Sequence, residues 1–186
     1  PTHCVGWGVE LAVRRFLVSV RWDRDGFGPF VDYFEKRIEH PGFASPVDMF
    51  FQGPVLCTVT PWDGEGLLLD EGAPLTPEQV LDMAQRATGM LAYLHAQGVR
   101  LARLMRANFL VSDGERFMLF DPDIAEVCPG PVPEPLRGAE LRWLGDLLRR
   151  FTPLSAVALQ DFFVQMEGGA FSSPAEFGRV LFERFG

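Results

Sequence analysis

The amino-acid sequence predicts an α+β domain, and three observations carry that expectation. Strand-like alternation and a turn-joined pair of apolar runs fill residues 16–60. A well-marked helix start stands at Thr76. Three amphipathic segments occupy the chain beyond residue 139. Hairpins and helices without a regular strand-helix-strand alternation are what an α+β chain shows.

The elements follow in order. GWGVELAV at 6–13 has the look of a glycine-rich phosphate loop, with Leu11 in the third glycine's place. A lone match of this kind is weak, and a strand or hairpin is expected. FLVSVRW at 16–22 alternates cleanly. Phe16, Val18, Val20 and Trp22 share one face; Leu17, Ser19 and Arg21 share the other. Asp23 to Gly28 is turn-rich. Phe30, Phe34 and Ile38, spaced by four, predict a helix from Pro29 to His40. DMFF, the turn QGP and VLCTVT predict a hairpin over 48–60. Pro61-Trp62-Asp63-Gly64 reads as a connector, and a loop with a short LLL run leads to Pro74.

At Thr76 the signals are dense. Thr76 is an N-cap candidate, Pro77 suits the first turn and Gln79 completes a capping box. Val80, Ala84, Ala87, Leu91 and Leu94 form one stripe, and Gly98 closes the helix. A basic loop, Arg100 to Ala107, ends at Asn108. FLV, the turn SDGER and FMLF then predict a hairpin that delivers Asp121 at its exit. CPGPVPEP resists regular structure. Helices are expected near Glu140–Phe151, Leu154–Met166 and after Ser173, where Ser173-Pro174-Ala175-Glu176 reads as a second capping box.

Composition bounds the function. The 186 residues suffice for one core or two small lobes, and 47% hydrophobic content with 17 Phe indicates a folded chain. The net charge of −8 argues against general affinity for nucleic acid or an anionic membrane. No apolar run reaches membrane-spanning length and no signal peptide is visible, so no membrane insertion is expected. Cys4, Cys57 and Cys128 lack metal-ligand spacing and read as free thiols in a reducing, cytoplasmic setting. The chain opens on Pro1, as a processed product or a domain of something longer would. No Ser-His-Asp order stands out, and three scattered histidines make nucleophilic or zinc chemistry unexpected.

The run YLHAQGVRLARLMRANFLV, followed by LFDPD, resembles the centre of the eukaryotic-like protein kinase fold. In that family an H-R-D-x-x-x-x-N loop precedes a D-F-G. Here Leu101-Ala102-Arg103 stands in the H-R-D place, Asn108 keeps the family spacing, and Asp121-Pro122-Asp123 stands in the D-F-G place. VSVR resembles the family's V-A-I-K strand, with Arg21 for the lysine; Lys36 is the only lysine against 16 arginines. HPGF resembles the H-P-N-I ending of the small-lobe helix, but the glutamate expected near Val31 is absent, with Asp32 one place off. VPE at 132–134 resembles A-P-E, and ELRWLG resembles D-x-W-S-x-G with Glu140 for the aspartate.

The resemblance implies a bilobal architecture, with a reduced small β-rich part over 1–60 and a mainly helical large part over 61–186. It implies a pseudokinase, since Arg103 replaces the catalytic aspartate. Candidate nucleotide-site residues are Ser19, Arg21, Asn108 and Asp121, and the family's metal-binding pair would be Asn108 and Asp121. ATP and Mg²⁺ are therefore conceivable cofactors, though none is expected, because base, lysine, glycine loop and helix glutamate are altered together. The residues also allow Asn108 to bond its own loop and Asp121 to pair with Arg103, Arg100 or Arg106, arginine taking over the charge balance that magnesium serves in active relatives. The three loop arginines could equally bind phosphate or an acidic motif, or form a solvated face. The expected function is a non-enzymatic scaffold or regulator that binds a protein partner. A small-molecule phosphotransferase and a purely structural interaction domain are the alternatives.

Overall fold

The computed structural model describes residues 3–11, 14–21, 26–62, 66–68, 75–105, 108–112 and 116–186, and they form an α+β fold. Ten strands come as β1 (His3–Leu11), β2 (Arg14–Arg21), β3 (Phe43–Ala44), β4 (Asp48–Gln52), β5 (Val55–Trp62), β6 (Gly66–Leu68), β7 (Val99–Arg103), β8 (Phe109–Ser112), β9 (Arg116–Phe120) and β10 (Asp123–Val127). Five helices are α1 (Gly28–Glu35), α2 (Pro77–Ala96), α3 (Ala139–Phe151), α4 (Val157–Glu167) and α5 (Pro174–Phe185). Among the described residues no helix is long and apolar enough to cross a membrane.

The first sheet is antiparallel, ordered β1-β2-β5-β4. The glycine-rich stretch is strand β1 as far as Leu11, with a register shift between Gly6 and Val9. Strand β2 sits centrally, and its alternation sorts as the sequence implies. Leu17, Ser19 and Arg21 are buried, while Phe16, Val18 and Val20 are half-buried. The β4–β5 hairpin turns through Gly53, whose φ of +62° only glycine takes readily. The second sheet runs β3-β9-β8-β6, and β3 joins it parallel to β9. Trp62's side chain and residues 63–65, 69 and 70 lie outside the described residues.

Helix α2 carries the expected capping box. Thr76 Oγ1 accepts from the Gln79 amide at 3.3 Å, and Gln79 Oε1 accepts from the Thr76 amide at 2.8 Å. Its stripe from Val80 to Leu94 is at most 2% exposed and forms the centre of the main core. Gly98, at φ +75°, brings the chain so close to Gly130 that a Cβ would lie 2.3 Å from its carbonyl oxygen. Helices α3 and α4 pack together, and α5 returns onto α2.

Five expectations are corrected. The run after Gly64 is not all loop, since Gly66–Leu68 pairs antiparallel with β8. Helix α1 stops at Glu35 rather than His40, because Arg37 turns to φ +48°; Ile38 still reaches the core from beyond the helix. The basic segment after Gly98 is not all loop, since Val99–Arg103 pairs antiparallel with β10. Helix α4 starts at Val157, leaving Leu154 89% exposed. At α5 only half the capping box forms: Ser173 Oγ accepts from the Glu176 amide, but the Glu176 carboxylate turns to the amide and hydroxyl of Ser172.

Candidate functional site

Ser19 and Arg21 leave strand β2 on the buried face. The turn between β9 and β10 meets them there, because Asp121 adopts φ +43° and bends the chain between the two strands. The Arg21 guanidinium closes on this bend. One terminal nitrogen lies 2.7 Å from Asp121 Oδ1 and donates to the Asp121 carbonyl at 3.1 Å and the Pro122 carbonyl at 3.4 Å. The other donates to Asp123 Oδ1 at 2.5 Å. Ser19 Oγ donates to the second Asp121 carboxylate oxygen. The ring of Phe30 on α1 covers the guanidinium, 4.0 Å from ring centre to Cζ. Paired, charge-assisted bonds under an aromatic lid are what a buried arginine needs; Arg21 is 6% exposed.

Asn108 fixes the bend from the other side. Its Nδ2 donates to the carbonyls of Phe120 (3.3 Å) and Asp121 (2.9 Å), and its Oδ1 accepts from the Met105 amide at 2.9 Å. The four residues singled out in the sequence therefore meet in one cluster. Among the described residues the Asp121 carboxylate pairs with Arg21 rather than with Arg103 or Arg100. Arg103 is half-exposed, with Nε 4.0 Å from Asp123 Oδ2. Arg100 pairs with Glu126 at 3.0 Å, and Arg106 lies outside the described residues. Neighbours in the chain were the obvious partners for Asp121, yet a strand a hundred residues away supplies the charge. Asp32 and Glu35 take no part: Arg21 finds its acids after β9, not on α1.

Tyr33 was not singled out from the sequence, and nothing in its spacing marks it. It is 7% exposed. Burial first, then the Asp121 carboxylate and Tyr93, push its hydroxyl up to about 12, from an ordinary value of about 10. The folded state thus holds this proton more tightly than the unfolded one. The associated stability is complete below about pH 10 and is lost as pH rises towards about 12. Tyr33→Phe is expected to abolish that alkaline loss, on the order of 2–3 kcal/mol, in urea titrations compared at about pH 8 and about pH 12. An equal loss in both proteins would disprove it.

The strand that precedes Asn108 is held from below. Glu140 on α3 is wholly buried. Its Oε1 accepts from the Leu101 amide at 3.1 Å and lies 3.4 Å from His95 Nε2. The His95 carbonyl accepts from the Val132 amide at 2.8 Å, tying the proline-rich segment to the end of α2. His95 was visible in the sequence only as part of YLH, so its role as a junction went unread.

The chain matches no protein-family model, and no curated protein matches it. The function must therefore be read from the site alone.

Among the described residues the cluster leaves little room. The space beside it, between Phe30, Tyr33, Thr58, Thr60 and Asp121, is about 20 Å³, enough for one water, whereas ligand pockets span about 300–1,000 Å³. Nor do the residues fit Mg²⁺, the ion the kinase resemblance implies. That ion needs free oxygen ligands in octahedral array. Asp121 and Asp123 already share one guanidinium, and the Asn108 oxygen is committed to a backbone amide. Among the described residues no group of three or more His, Cys, Asp or Glu is arranged to hold a metal.

Proposed function

We propose that this chain is a catalytically inactive kinase-like domain that works by binding a protein partner, as a scaffold or regulator. The observation that carries this is Arg21, whose guanidinium stands between Asp121 and Asp123, where the resemblance would put a metal-bound nucleotide. Arg103, in place of the family's catalytic base, lies at the margin of the cluster and is itself a cation. Arg103 cannot accept the proton that the family's base takes, and among the described residues the space between Phe30, Tyr33, Thr58, Thr60 and Asp121 is smaller than a phosphate.

The kinase-like part of the proposal draws support from two placements. VSVR and DPD, far apart in the chain, come together as the resemblance requires. Glu140, on the helix likened to D-x-W-S-x-G, holds the backbone of Leu101, the first residue of the H-R-D-like triplet. On this view residues 1–60 form the small lobe and 61–186 the large one.

The test is thermal unfolding with ATP, with and without Mg²⁺. A ligand that binds only the folded state, at about 100 times its Kd, adds roughly 2.7 kcal/mol. The expected result is no shift at millimolar nucleotide. A Mg²⁺-dependent shift that Asp121→Asn abolishes would overturn the proposal in favour of a small-molecule phosphotransferase using Asn108 and Asp121.

A further inference from the structure

Among the described residues strand β4 is the outer edge of the first sheet. Four of its five residues, Asp48-Met49-Phe50-Phe51-Gln52, are exposed. Phe50 is 44% exposed, Phe51 55%, and Val47 just before them 60%. Folded proteins usually blunt such an edge with lysine, proline or a bulge. Strand β4 has no lysine and no proline, and its register against β5 runs without a shift. Its single charge, Asp48, stands at one end.

The faces of the sheet differ. Met49 and Phe51 register with Thr58 and Leu56, on the side that receives α1, and Phe51 meets the Phe27 ring edge-on at 5.6 Å. Phe50 registers with Cys57, which registers with Val20. An apolar row therefore crosses the opposite face of the sheet and reaches the bare edge at Phe50. An antiparallel sheet that turns one face to water usually carries polar residues there.

We propose that β4 is a self-association edge, at which two copies of this chain pair antiparallel about a two-fold axis at Phe50 and join two four-stranded sheets into one. The strand is self-complementary in that register. Phe50 faces Phe50 of the second copy, Met49 faces its Phe51, and Asp48 faces its Gln52. The polar ends meet polar ends, the apolar centre meets itself, and no like charges stand opposite, the arrangement that cross-strand pairing favours. A two-fold contact uses the same patch on both subunits, so a self-matching strand closes as a dimer and does not run on into a filament. The Met49 amide, which donates to the Asp48 carboxylate at 2.8 Å, exchanges that local acceptor for a carbonyl of the second copy.

The experiment is sedimentation equilibrium of the full chain from about 1 μM to about 1 mM. A concentration-dependent dimer is expected. Phe50→Lys, with circular dichroism to confirm folding, is expected to weaken it at least tenfold, whereas Trp143→Lys, at an exposed tryptophan on α3, leaves it unchanged. Gln52 tests the register without touching the core. Gln52→Lys, which sets a cation opposite Asp48, tightens the dimer about two- to fivefold, and Gln52→Asp loosens it by a similar factor. A monomer throughout, a dimer indifferent to Phe50→Lys, or the opposite order of the Gln52 variants overturns the proposal. So does a monomer that takes up an extended apolar peptide one-to-one, which would assign the edge to another protein.

Discussion

Arg21→Ala is expected to cost about 3–5 kcal/mol, the range for removing one member of a buried ion pair. The loss is not the net worth of the contact. It is mainly the cost of leaving Asp121 and Asp123, with side chains 8% and 24% exposed, without the guanidinium that bonds to both. For a domain of this size, each kcal/mol moves the midpoint by roughly 2–4 °C, so differential scanning calorimetry should show a fall of about 6–20 °C. Arg21→Lys should recover only part of it, because an ammonium lacks the fork that reaches both carboxylates and the Pro122 carbonyl. Replacing all three charges together, with Met at 21 and Asn at 121 and 123, should restore much of the stability, since a neutral cluster needs no counter-charge. If Arg21→Ala shifts the midpoint by less than about 2 °C, corresponding to under about 1 kcal/mol, the charge balance attributed to the cluster is wrong.

The second large effect is expected in the helical layer. Phe162 on α4 is fully buried among rings, with centroids of Phe177 and Phe185 at 5.3 Å, Phe171 at 5.5 Å and Phe163 at 6.1 Å. Phe162→Ala removes a whole ring from this stack, and the loss of transfer energy plus the cavity left behind comes to about 3–5 kcal/mol. On the α3 side the gap cannot close, because α3 and α4 are already in backbone contact. A Cβ at Gly145 would lie 2.7 Å from the Glu167 amide nitrogen. Phe162 shares no partner with Arg21, so the two losses should add in the double variant to within about 0.5 kcal/mol. Chemical denaturation of the two single variants and the double one checks both magnitude and additivity. A neutral Phe162→Ala would mean that the ring stack is not the support of the large helices.

Local signals in the sequence fared differently from distant ones. The capping box at Thr76, the turn at Gly53 and the pattern SDGER each act through residues a few positions apart, and α2, the β4–β5 pair and the β8–β9 pair stand where they point. The segment after Gly98 looked like loop because its charges hid an alternation. Val99 and Leu101 are buried while Ala102 and Arg103 are exposed, and the partner strand lies beyond the next hairpin. The four cluster residues were legible through motif spacing, but the Arg21–Asp121 pair was not. Periodicity says which side of β2 Arg21 leaves, and it carries no information about what waits there.

The parallel pairing of β3 with β9 also has a consequence for how the chain acquires its structure. Phe43 and Ala44 can join Leu119 and Phe120 only after α2 and the hairpin between them have closed a long intervening segment. The Arg21 bonds span a separation of 100 residues or more. Contacts so distant in sequence form late, because chain-closure entropy must be overcome before they reward it. The acidic bend and its arginine are thus a last step of assembly: in stopped-flow experiments, weakening them should speed unfolding far more than it slows refolding.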